Sequence, residues 1–342
     1  MAKVLVTGGL GYIGSHTVVT LLQHGFEAVV VDDLSNSQTD VLDRIEQISG
    51  QRPPFYELNL CDESAVEQMF NKEPDIDSII HFAASKAVGE SVAKPLLYYK
   101  NNLLSLIHLL EQMNKRNITD FVFSSSCTVY GQPDQLPVTE QSPMKPAESP
   151  YGNTKQVGEQ ILRDACRAYP SLRVIALRYF NPVGAHESAL IGELPNGVPN
   201  NLVPFITQTA AGLRPQLKVF GQDYSTPDGT AVRDYIHVVD LAEAHEIALR
   251  RLMDDKQKEN FEFFNIGTGE GHSVLEVVKT FERVNDLSLN YQLTDRRPGD
   301  VEQVYADTHY ANTELGWKAT RNLEEMLTSA WKWQQKLMTD DK

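Results

Sequence analysis

The residues best suited to chemistry are a tyrosine and a lysine four positions apart, Tyr151 and Lys155. Ser149 is a typical helix N-cap and Pro150 suits the first helical position, so the segment predicts a helix that begins here. Four residues make about one helical turn, which places the phenol and the ammonium on one face. A phenol is a poor base because its unperturbed pKa is about 10. A neighbouring ammonium favours the phenolate and lowers that pKa, so the pair could act as a general base.

A serine-rich segment supplies a third candidate. The apolar run Phe121-Val122-Phe123 predicts a strand that leads directly into Ser124-Ser125-Ser126. Ligands gather at the carboxyl ends of parallel strands, so a serine here could bind a reacting oxygen and pass a proton between it and Tyr151. A Tyr-Lys pair alone is usually a surface pair, and serines at a strand end commonly bind their own backbone. Whether these residues are catalytic or structural must therefore be judged from the elements that surround them.

The first thirty residues predict a dinucleotide-binding unit. Lys3–Thr7 has the apolar, β-branched composition of a buried strand, and a glycine-rich turn and a helix follow it up to Gly25. A second apolar run then ends at Asp32, whose carboxylate could accept hydrogen bonds from ribose hydroxyls. Three glycines would let the diphosphate reach the N–H groups at the start of the helix, and they are Gly8, Gly11 and Gly14.

Charge indicates which dinucleotide is bound. Asp32 and Asp33 would repel a 2′-phosphate, and the segment 34–38 offers no Arg or Lys to pair with one. The sequence therefore predicts NAD as the cofactor rather than NADP.

Composition and length bound the possible classes of protein. The chain has 342 residues, enough for one large domain or two interleaved ones. Its formal net charge is −15 and it contains no run of Lys or Arg, so nucleic acid and anionic membranes are poor partners. No apolar run approaches ~20 residues and the first strand begins near the start, so we expect neither a membrane span nor a secretory leader. Its 3 cysteines have no metal or disulfide spacing, which favours the cytoplasm.

Strands alternate with helices over residues 1–180, which predicts an α/β fold of the Rossmann type, a doubly wound parallel sheet with helices on both faces. Beyond residue 181 the segments are shorter and richer in Pro, Gly and Asn. We expect residues 181–342 to form a smaller α/β domain that caps the ligand cleft and binds substrate. A segment near 233–265, beginning with the strand Asp234–His237, is expected to return to the first sheet.

These motifs resemble those of a known family. Thr7-Gly8-x-x-Gly11-x-x-Gly14, the strand end at Ser126 and Tyr151-x-x-x-Lys155 are similar to the marks of the extended short-chain dehydrogenases/reductases. Three longer segments, 81–91, 178–186 and 232–238, narrow the resemblance to the UDP-glucose 4-epimerases, and the likeness covers nearly the whole chain. The resemblance implies reversible NAD-dependent inversion at carbon 4 of UDP-hexoses through a 4-keto sugar.

The resemblance also assigns roles to individual residues. Tyr151, Lys155 and Ser126 would be catalytic. Cofactor contacts would come from Gly8, Gly11, Tyr12, Ile13, Gly14, Asp32, Asn36, Asn59, Leu60, Phe82, Lys86, Asn101, Ser126, Tyr151, Lys155 and Tyr179. The UDP-sugar would be held by Lys86, Ser126, Tyr151, Asn181, Asn201, Leu202, Phe220, Arg233, Tyr235, Arg297, Asp300 and Val304. The family usually has an acid at Asn59 for the adenine amino group, and Asn keeps an acceptor but loses the charge.

Two rival functions follow from the same scaffold. A nucleotide-sugar 4,6-dehydratase needs an acid pair beside the strand-end serine, whereas here Cys127-Thr128 follows Ser126; a decarboxylase is its close variant. A catalytically dead NAD-sensing regulator would lack the tyrosine or the lysine, and both are present.

A long predicted helix, Pro95–Lys115, bears on assembly. Its apolar residues at helical spacing form one stripe: Leu103, Leu106, Ile107, Leu110 and Met113. The stripe either faces the sheet or, as the resemblance implies, pairs with the Tyr151 helix across the two-fold axis of a homodimer.

Val304 bears on the size of the sugar. In the family, by resemblance, a tyrosine shortly after the segment 296–300 excludes an N-acetyl group at carbon 2. Val304 takes that position here, which predicts UDP-N-acetylhexosamines as further substrates. Tyr305 is adjacent, and since neighbouring strand residues face opposite sides, a shift of one residue would restore the aromatic barrier.

Overall fold

The computed structural model describes residues 1–297 and 301–340. Seven of its strands form one parallel sheet. In chain order the strands are β1 (Lys3–Thr7), β2 (Glu27–Asp32), β3 (Phe55–Glu57), β4 (Ser78–His81), β5 (Asp120–Ser126), β6 (Arg173–Tyr179), β7 (Asn181–Val183), β8 (Leu217–Phe220), β9 (Val232–His237), β10 (Phe261–Ile266), β11 (Gly271–Ser273), β12 (Tyr291–Thr294) and β13 (Gln303–Val304). The seven-stranded sheet has the order β10-β6-β5-β4-β1-β2-β3. The predicted Rossmann-type sheet is confirmed.

The helices divide between the two faces of this sheet and a second layer. They are α1 (Tyr12–Gln23), α2 (Asp40–Ser49), α3 (Glu63–Lys72), α4 (Val88–Ala93), α5 (Pro95–Arg116), α6 (Pro150–Ala168), α7 (Leu202–Ala210), α8 (Val238–Met253), α9 (Val274–Asn285) and α10 (Leu323–Asp340). Because side chains of a strand alternate between faces, Val4 and Val6 of β1 enter one core with α1 and α8, while Leu5 enters another with α3, α5 and α6. The sheet is thus buried on both sides, as its continuous apolar strands require.

The strand order reverses between β1 and β4, and this is where a doubly wound sheet opens a crevice. The carboxyl ends of β1 and β4 lie at this crevice, and β5 lies next to β4. Parallel α/β sheets bind ligands at such points. The glycine turn after β1 and the serines that end β5 therefore lie at the same edge of the molecule.

The later part of the chain builds a second layer. Its four-stranded sheet has β11-β9-β13 in order, with β7 also paired to β9, and β8 pairs with β12. The core of this layer includes α7, α9 and α10. The expected return of segment 233–265 needs a correction: β9 pairs with β7, β11 and β13 instead of joining the large sheet. The helix and strand after it do reach the large sheet, since α8 packs on α1 and β10 pairs with β6.

A membrane span requires a long and continuously apolar helix. Within residues 1–297 and 301–340, none of the helices has both properties.

Candidate active site

The Tyr151–Lys155 pair lies in the first turns of α6, as its flanking residues predict. The Ser149 side chain accepts a hydrogen bond from the Gly152 N–H at 3.1 Å, and Pro150 occupies the first helical position. This cap fixes where the helix begins and therefore which residues share its inner face. Lys155 is buried, and its Nζ lies 5.9 Å from the centre of the Tyr151 ring.

The three serines that end β5 each serve a different partner. Lys155 Nζ donates to the Ser124 carbonyl oxygen at 2.6 Å and to its hydroxyl at 3.2 Å. The Ser126 hydroxyl accepts from the Thr128 N–H at 3.2 Å, and it acts on the Tyr151 phenol to lower the pKa of that group. Ser125 instead donates to the buried Glu159 at 2.7 Å. Of the three serines, Ser126 is therefore the one that acts on the tyrosine.

Burial controls the ionisation of the pair. It raises the pKa of Tyr151 well above that of a free phenol, although Ser126 opposes the rise. It also lowers the pKa of Lys155 to about 7, against the attraction of Glu159. The sequence predicts a lowered pKa for Tyr151, but in the protein without a cofactor burial raises it. A further positive charge beside the phenol, such as the nicotinamide ring of NAD⁺, would be needed to lower this pKa.

The glycine turn after β1 has no room for side chains at two of its positions. A Cβ on Gly14 would lie 2.1 Å from the Gly8 carbonyl oxygen, and a Cβ on Gly8, which has φ +67°, would lie 2.8 Å from the Ala83 nitrogen. Side chains are therefore excluded at both positions. Among the described residues, no side chain caps the N-terminus of α1 at Gly11. The positive end of this helix is left to a ligand.

Asp32 ends β2 beside this turn and is 7% exposed. Its carboxylate accepts hydrogen bonds from the Leu10 N–H at 3.1 Å, the Leu34 N–H at 3.0 Å and the Ser37 hydroxyl at 2.7 Å. Burial raises its pKa, and these donors oppose the rise. The hydrogen bonds hold the carboxylate at the carboxyl end of the strand, where a ribose would lie in a dinucleotide site.

The other predicted cofactor residues lie around the same edge. The Tyr12 hydroxyl donates to the Gly184 carbonyl at 2.7 Å, and Ile13 packs into the core beside β1. Phe82 and Tyr179 approach the His245 ring, with centres 4.6 and 5.8 Å away.

The other residues that are predicted to bind the cofactor differ in how far they are exposed. Asn36 and Asn59 are exposed, and Leu60 is buried. Asn59 Oδ1 accepts a hydrogen bond from the Cys61 N–H at 2.8 Å, within its own turn. Asn101 Nδ2 donates to the Ser85 hydroxyl at 3.2 Å.

Two predicted ligand residues meet an acid that the sequence did not single out. Lys86 Nζ lies 3.4 Å from Glu193 Oε1, and Asn201 Nδ2 donates to the same oxygen at 2.6 Å. Asn201 also precedes α7, whose first residue is Leu202. Glu193 therefore connects the loop after β4, which carries Lys86, to the second layer, which carries Asn201. Its place in the Pro- and Gly-rich segment after residue 181 gave no periodic signal by which to find it.

The remaining predicted substrate residues come from the second layer. Asn181 is half-buried opposite Tyr235, which is packed in the core of that layer. The Arg297 guanidinium lies 5.9 Å from the centre of the exposed Phe220 ring. Arg233 donates to the Val232 carbonyl at 2.8 Å. Asp300, the remaining predicted contact, lies outside the described residues.

Val304, the last residue of β13, and Tyr305, which follows it, point in opposite directions. Val304 is 5% exposed and packs with Cys127 and Val129, directly after Ser126. Tyr305 points the other way, with its ring 3.0 Å from where a Cβ on Gly271 would be. Val304, and not Tyr305, therefore belongs to the cluster that holds Cys127, the residue after the strand-end Ser126.

Sequence reasoning missed Glu159 and Arg178. Glu159 follows Lys155 by one helical turn, and Arg178 pairs with it from the neighbouring strand β6. The spacing Tyr151, Lys155, Glu159 at every fourth position was the available signal.

Comparison with known proteins agrees with this geometry. The family model described as GDP-mannose 4,6 dehydratase matches residues 5–330. The UDP-glucose 4-epimerase of Pasteurella multocida is 52% identical over 333 residues, 97% of each chain. That of Bacillus subtilis is 53% identical, over 97% of this chain and 96% of its own.

Solved structures give the same result. The crystal structure of UDP-glucose 4-epimerase from Bifidobacterium longum, in complex with NAD⁺ and UDP, superimposes with a TM-score of 0.93 at 49% identity and 98% coverage of both chains. The enzyme from Stenotrophomonas maltophila, with bound NAD and formylated UDP-arabinopyranose, gives 0.95 at 46% identity, over 99% of this chain and 100% of its own.

Fold and site together define an extended short-chain dehydrogenase/reductase. Within that class, the similarity over nearly its full length shows that the chain belongs to the UDP-glucose 4-epimerase family.

Proposed function

We propose that the protein interconverts UDP-hexoses by inversion at carbon 4, with NAD as its cofactor. One observation carries this proposal: Lys155, one helical turn after Tyr151, donates to the Ser124 carbonyl at 2.6 Å, so the tyrosine–lysine pair is fixed against the serine end of β5, at the edge of the sheet that also holds the glycine turn. A phenol, a hydroxyl and an ammonium at a dinucleotide cleft are the groups that alcohol oxidation and its reversal need.

The residues present fit NAD. The uncapped start of α1 and the glycines that leave room for a diphosphate form the phosphate cradle, and Asp32 would accept from the ribose. Asp32 and Asp33 would repel the additional phosphate of NADP. When bound, NAD⁺ supplies a reversible hydride acceptor and a positive ring. Extraction of the cofactor from purified protein should yield NAD(H), and recovery of mostly NADP(H) would contradict this assignment.

The chain's own residues would move the proton. Tyr151, as phenolate, takes the proton of the 4-hydroxyl either directly or through Ser126, and returns it after the sugar has turned over. Lys155 remains fixed by Ser124 and stabilises the phenolate with its charge. The sugar passes through a 4-ketone and presents its other face before it is reduced. Binding energy from the UDP group, remote from carbon 4, leaves the sugar free to rotate.

The nucleotide sugar would be held mainly by the second layer. Residues 181–342 form the substrate domain in this proposal, and residues 1–180, completed by α8 and β10, form the cofactor domain. Arg233 and Arg297 would pair with the diphosphate, as guanidinium groups do well. Asn181, Asn201, Leu202 and Phe220 would line the sugar and the nucleoside. The cytoplasm remains the expected compartment.

The direct test is a product analysis. The protein is incubated with UDP-galactose and, in parallel, with UDP-glucuronic acid, and the sugars are identified. We expect UDP-glucose from the first and no UDP-pentose from the second. A 4-keto-6-deoxy sugar would indicate a dehydratase, a pentose would indicate a decarboxylase, and no reaction in an NAD-loaded protein would indicate a regulator. The dehydratase lacks support here because Cys127 and Thr128, rather than acids, follow Ser126.

We further propose that N-acetylated sugars are substrates. Val304 is smaller than a tyrosine by most of a ring, and its side chain packs with Cys127, the residue after Ser126. Wild-type protein should therefore epimerise both UDP-galactose and UDP-N-acetylgalactosamine. Val304→Tyr should lower kcat/KM for the N-acetylated sugar by ~100-fold and spare the plain sugar.

Val304→Leu is the matched control, because it fills the same space without a ring and should retain more of the N-acetylated activity. The plain sugar reports whether either variant has damaged the fold. If the wild type never accepts the N-acetylated sugar, or if the tyrosine variant still does, the register or the size argument is wrong.

A homodimer completes the proposal. On α5, Leu106, Leu110 and Met113 pack against the sheet, whereas Leu103 and Ile107 are only partly covered. The two partly covered residues would meet the same helices of a second copy.

A further inference from the structure

Glu159 is a carboxylate with no exposed surface, at the end of the sheet where the catalytic residues meet. Arg178 donates to it through Nε at 2.8 Å and through Nη2 at 2.5 Å. Ser125 donates to the same carboxylate at 2.7 Å. Because Ser125 and Arg178 are register partners on β5 and β6, Glu159 joins the helix to both strands beside Ser124 and Ser126.

A buried ion pair is a costly way to stabilise a core. Removing both charges from water carries a large penalty, and apolar residues of similar volume often give equal or greater stability. A second guanidinium, that of Arg163 on the same helix, donates to the Glu159 carboxylate at 3.1 Å. The donors keep the pKa of Glu159 low even though burial acts to raise it. Glu159 is therefore a permanent negative charge at neutral pH.

Lys155 lies one turn before Glu159 on the same helix and is 4% exposed. Its Nζ contacts the Ser124 carbonyl and lies 5.0 Å from the centre of the Phe123 ring, so solvent contributes little to holding its charge. Burial lowers the pKa of Lys155 to about 7, and Glu159 opposes that change.

In the part of the chain that the structure describes, the groups of other elements around Lys155 and Glu159 are neutral or cationic, and the cation is Arg178 of β6, which is paired with Glu159. His81 of β4 is buried, with its pKa lowered to about 3, and is therefore neutral. Burial raises the pKa of Tyr179 of β6 to about 12, so this phenol is also neutral. Tyr151 on α6 is neutral in the protein alone because burial raises its pKa. Among the described residues, the carboxylate that supports the ammonium is that of Glu159.

We propose that Glu159 is a positioning residue that keeps Lys155 charged and fixes the serine end of β5 for catalysis. This inference rests on the proposed function, because it assigns Glu159 to the tyrosine–lysine chemistry. Glu159 does not touch substrate; it acts through Lys155 and through Ser125. Its charge delays loss of the lysine proton, so the phenolate of Tyr151 remains supported to higher pH.

The test variant is Glu159→Gln, which keeps the shape and an acceptor for Arg178 and Ser125 but removes the charge. Without that charge Lys155 loses its proton at lower pH, so the alkaline limb of the kcat/KM profile for UDP-galactose should move down by about one pH unit. Above the new limb, the rate should fall by up to ~10-fold relative to wild type. Ser125→Ala is the matched control: it removes a hydrogen bond to Glu159 and retains the charge, so its limb should stay at the wild-type pH.

A second readout does not depend on turnover. The ¹³Cε resonance of Lys155, assigned with Lys155→Met, is titrated in the isolated protein and in Glu159→Gln. Its midpoint should move to lower pH in the variant. If Glu159→Gln lowers activity equally at every pH and leaves the lysine midpoint unchanged, Glu159 only fixes the strand end, and the proposal that it keeps Lys155 charged is wrong.

Arg163→Met keeps the proposal testable if Glu159→Gln does not fold. This variant removes a cation from the carboxylate at a partly exposed position, so the limb and the lysine midpoint should move to higher pH. An unmoved midpoint in Arg163→Met would also overturn the proposal. If the wild type does not epimerise UDP-galactose, the proposed function fails on its own, while the lysine titration still decides the role of Glu159.

Discussion

At the scale of single residues, the two catalytic candidates differ in a way that sequence could not show. Helical spacing predicts that Tyr151 and Lys155 share one face of the helix, but not how deeply either is buried. Lys155 is buried, with its ammonium against the Ser124 carbonyl. Truncating it to alanine would therefore leave a void and an acceptor without its donor, effects that add to any loss of catalysis. A methionine of similar length is the better probe.

Tyr151→Phe and Lys155→Met should each lower kcat for UDP-galactose by about 10²–10⁴-fold, because the first removes the proton acceptor and the second removes the charge that supports it. UDP affinity, measured by calorimetry, should stay near the wild-type value, since neither group is needed to hold the nucleotide. Near-normal turnover in either folded variant would remove that residue from the mechanism.

One residue-scale prediction could be made because it depends on neighbours in sequence. Ser149 caps α6 by accepting from the N–H of Gly152, three positions further on. The pairing of Glu159 with Arg178 joins residues 19 apart on a helix and a strand. Only the packed sheet brings them together, so a single sequence gave no more than their charges.

At the scale of elements, local signals identified several strands and helices but not every pairing. The unit β1-α1-β2 and the long helix α5 occur where their apolar spacing predicts them. The strand β9 also forms, at Val232–His237, yet its composition does not say which sheet it joins. Its neighbours β7 and β11 are short strands that supply edges nearby, and it pairs with them. Pairing of distant segments is decided by the whole fold.

Helix α5 allows a test of the homodimer. Ile107→Glu places a charge on its partly covered face and should convert a dimer into a monomer, because burying an unpaired carboxylate between two copies is costly. Leu213→Glu is the matched control, since Leu213 is 59% exposed and lies after α7. Light scattering at micromolar concentration gives the mass. A monomeric wild type, or a dimeric Ile107→Glu, would contradict the proposed interface.

At the scale of the whole molecule, folding buries several histidines in neutral form. Burial lowers the pKa of His16, His81 and His237 to about 3 and that of His245 to about 4. The unfolded chain would hold these groups near 6.5, so unfolding takes up protons at acidic pH. Their contribution to stability is complete above pH ~6.5 and declines as pH falls toward the folded values.

His16 offers a test of this linkage on a single group. Its Nδ1 lies 2.7 Å from the Tyr12 carbonyl, which can only accept, so Nδ1 carries the proton and glutamine can replace that donor. Each buried histidine should add up to ~1.4 kcal/mol per pH unit to the slope of unfolding free energy below pH 6. Urea unfolding from pH 7.5 to 4.5, at one protein concentration, should show a slope in His16→Gln that is smaller by about one proton. His309→Gln, at an exposed position, should leave the slope unchanged. Equal slopes in wild type and His16→Gln would mean that His16 does not drive the acid sensitivity.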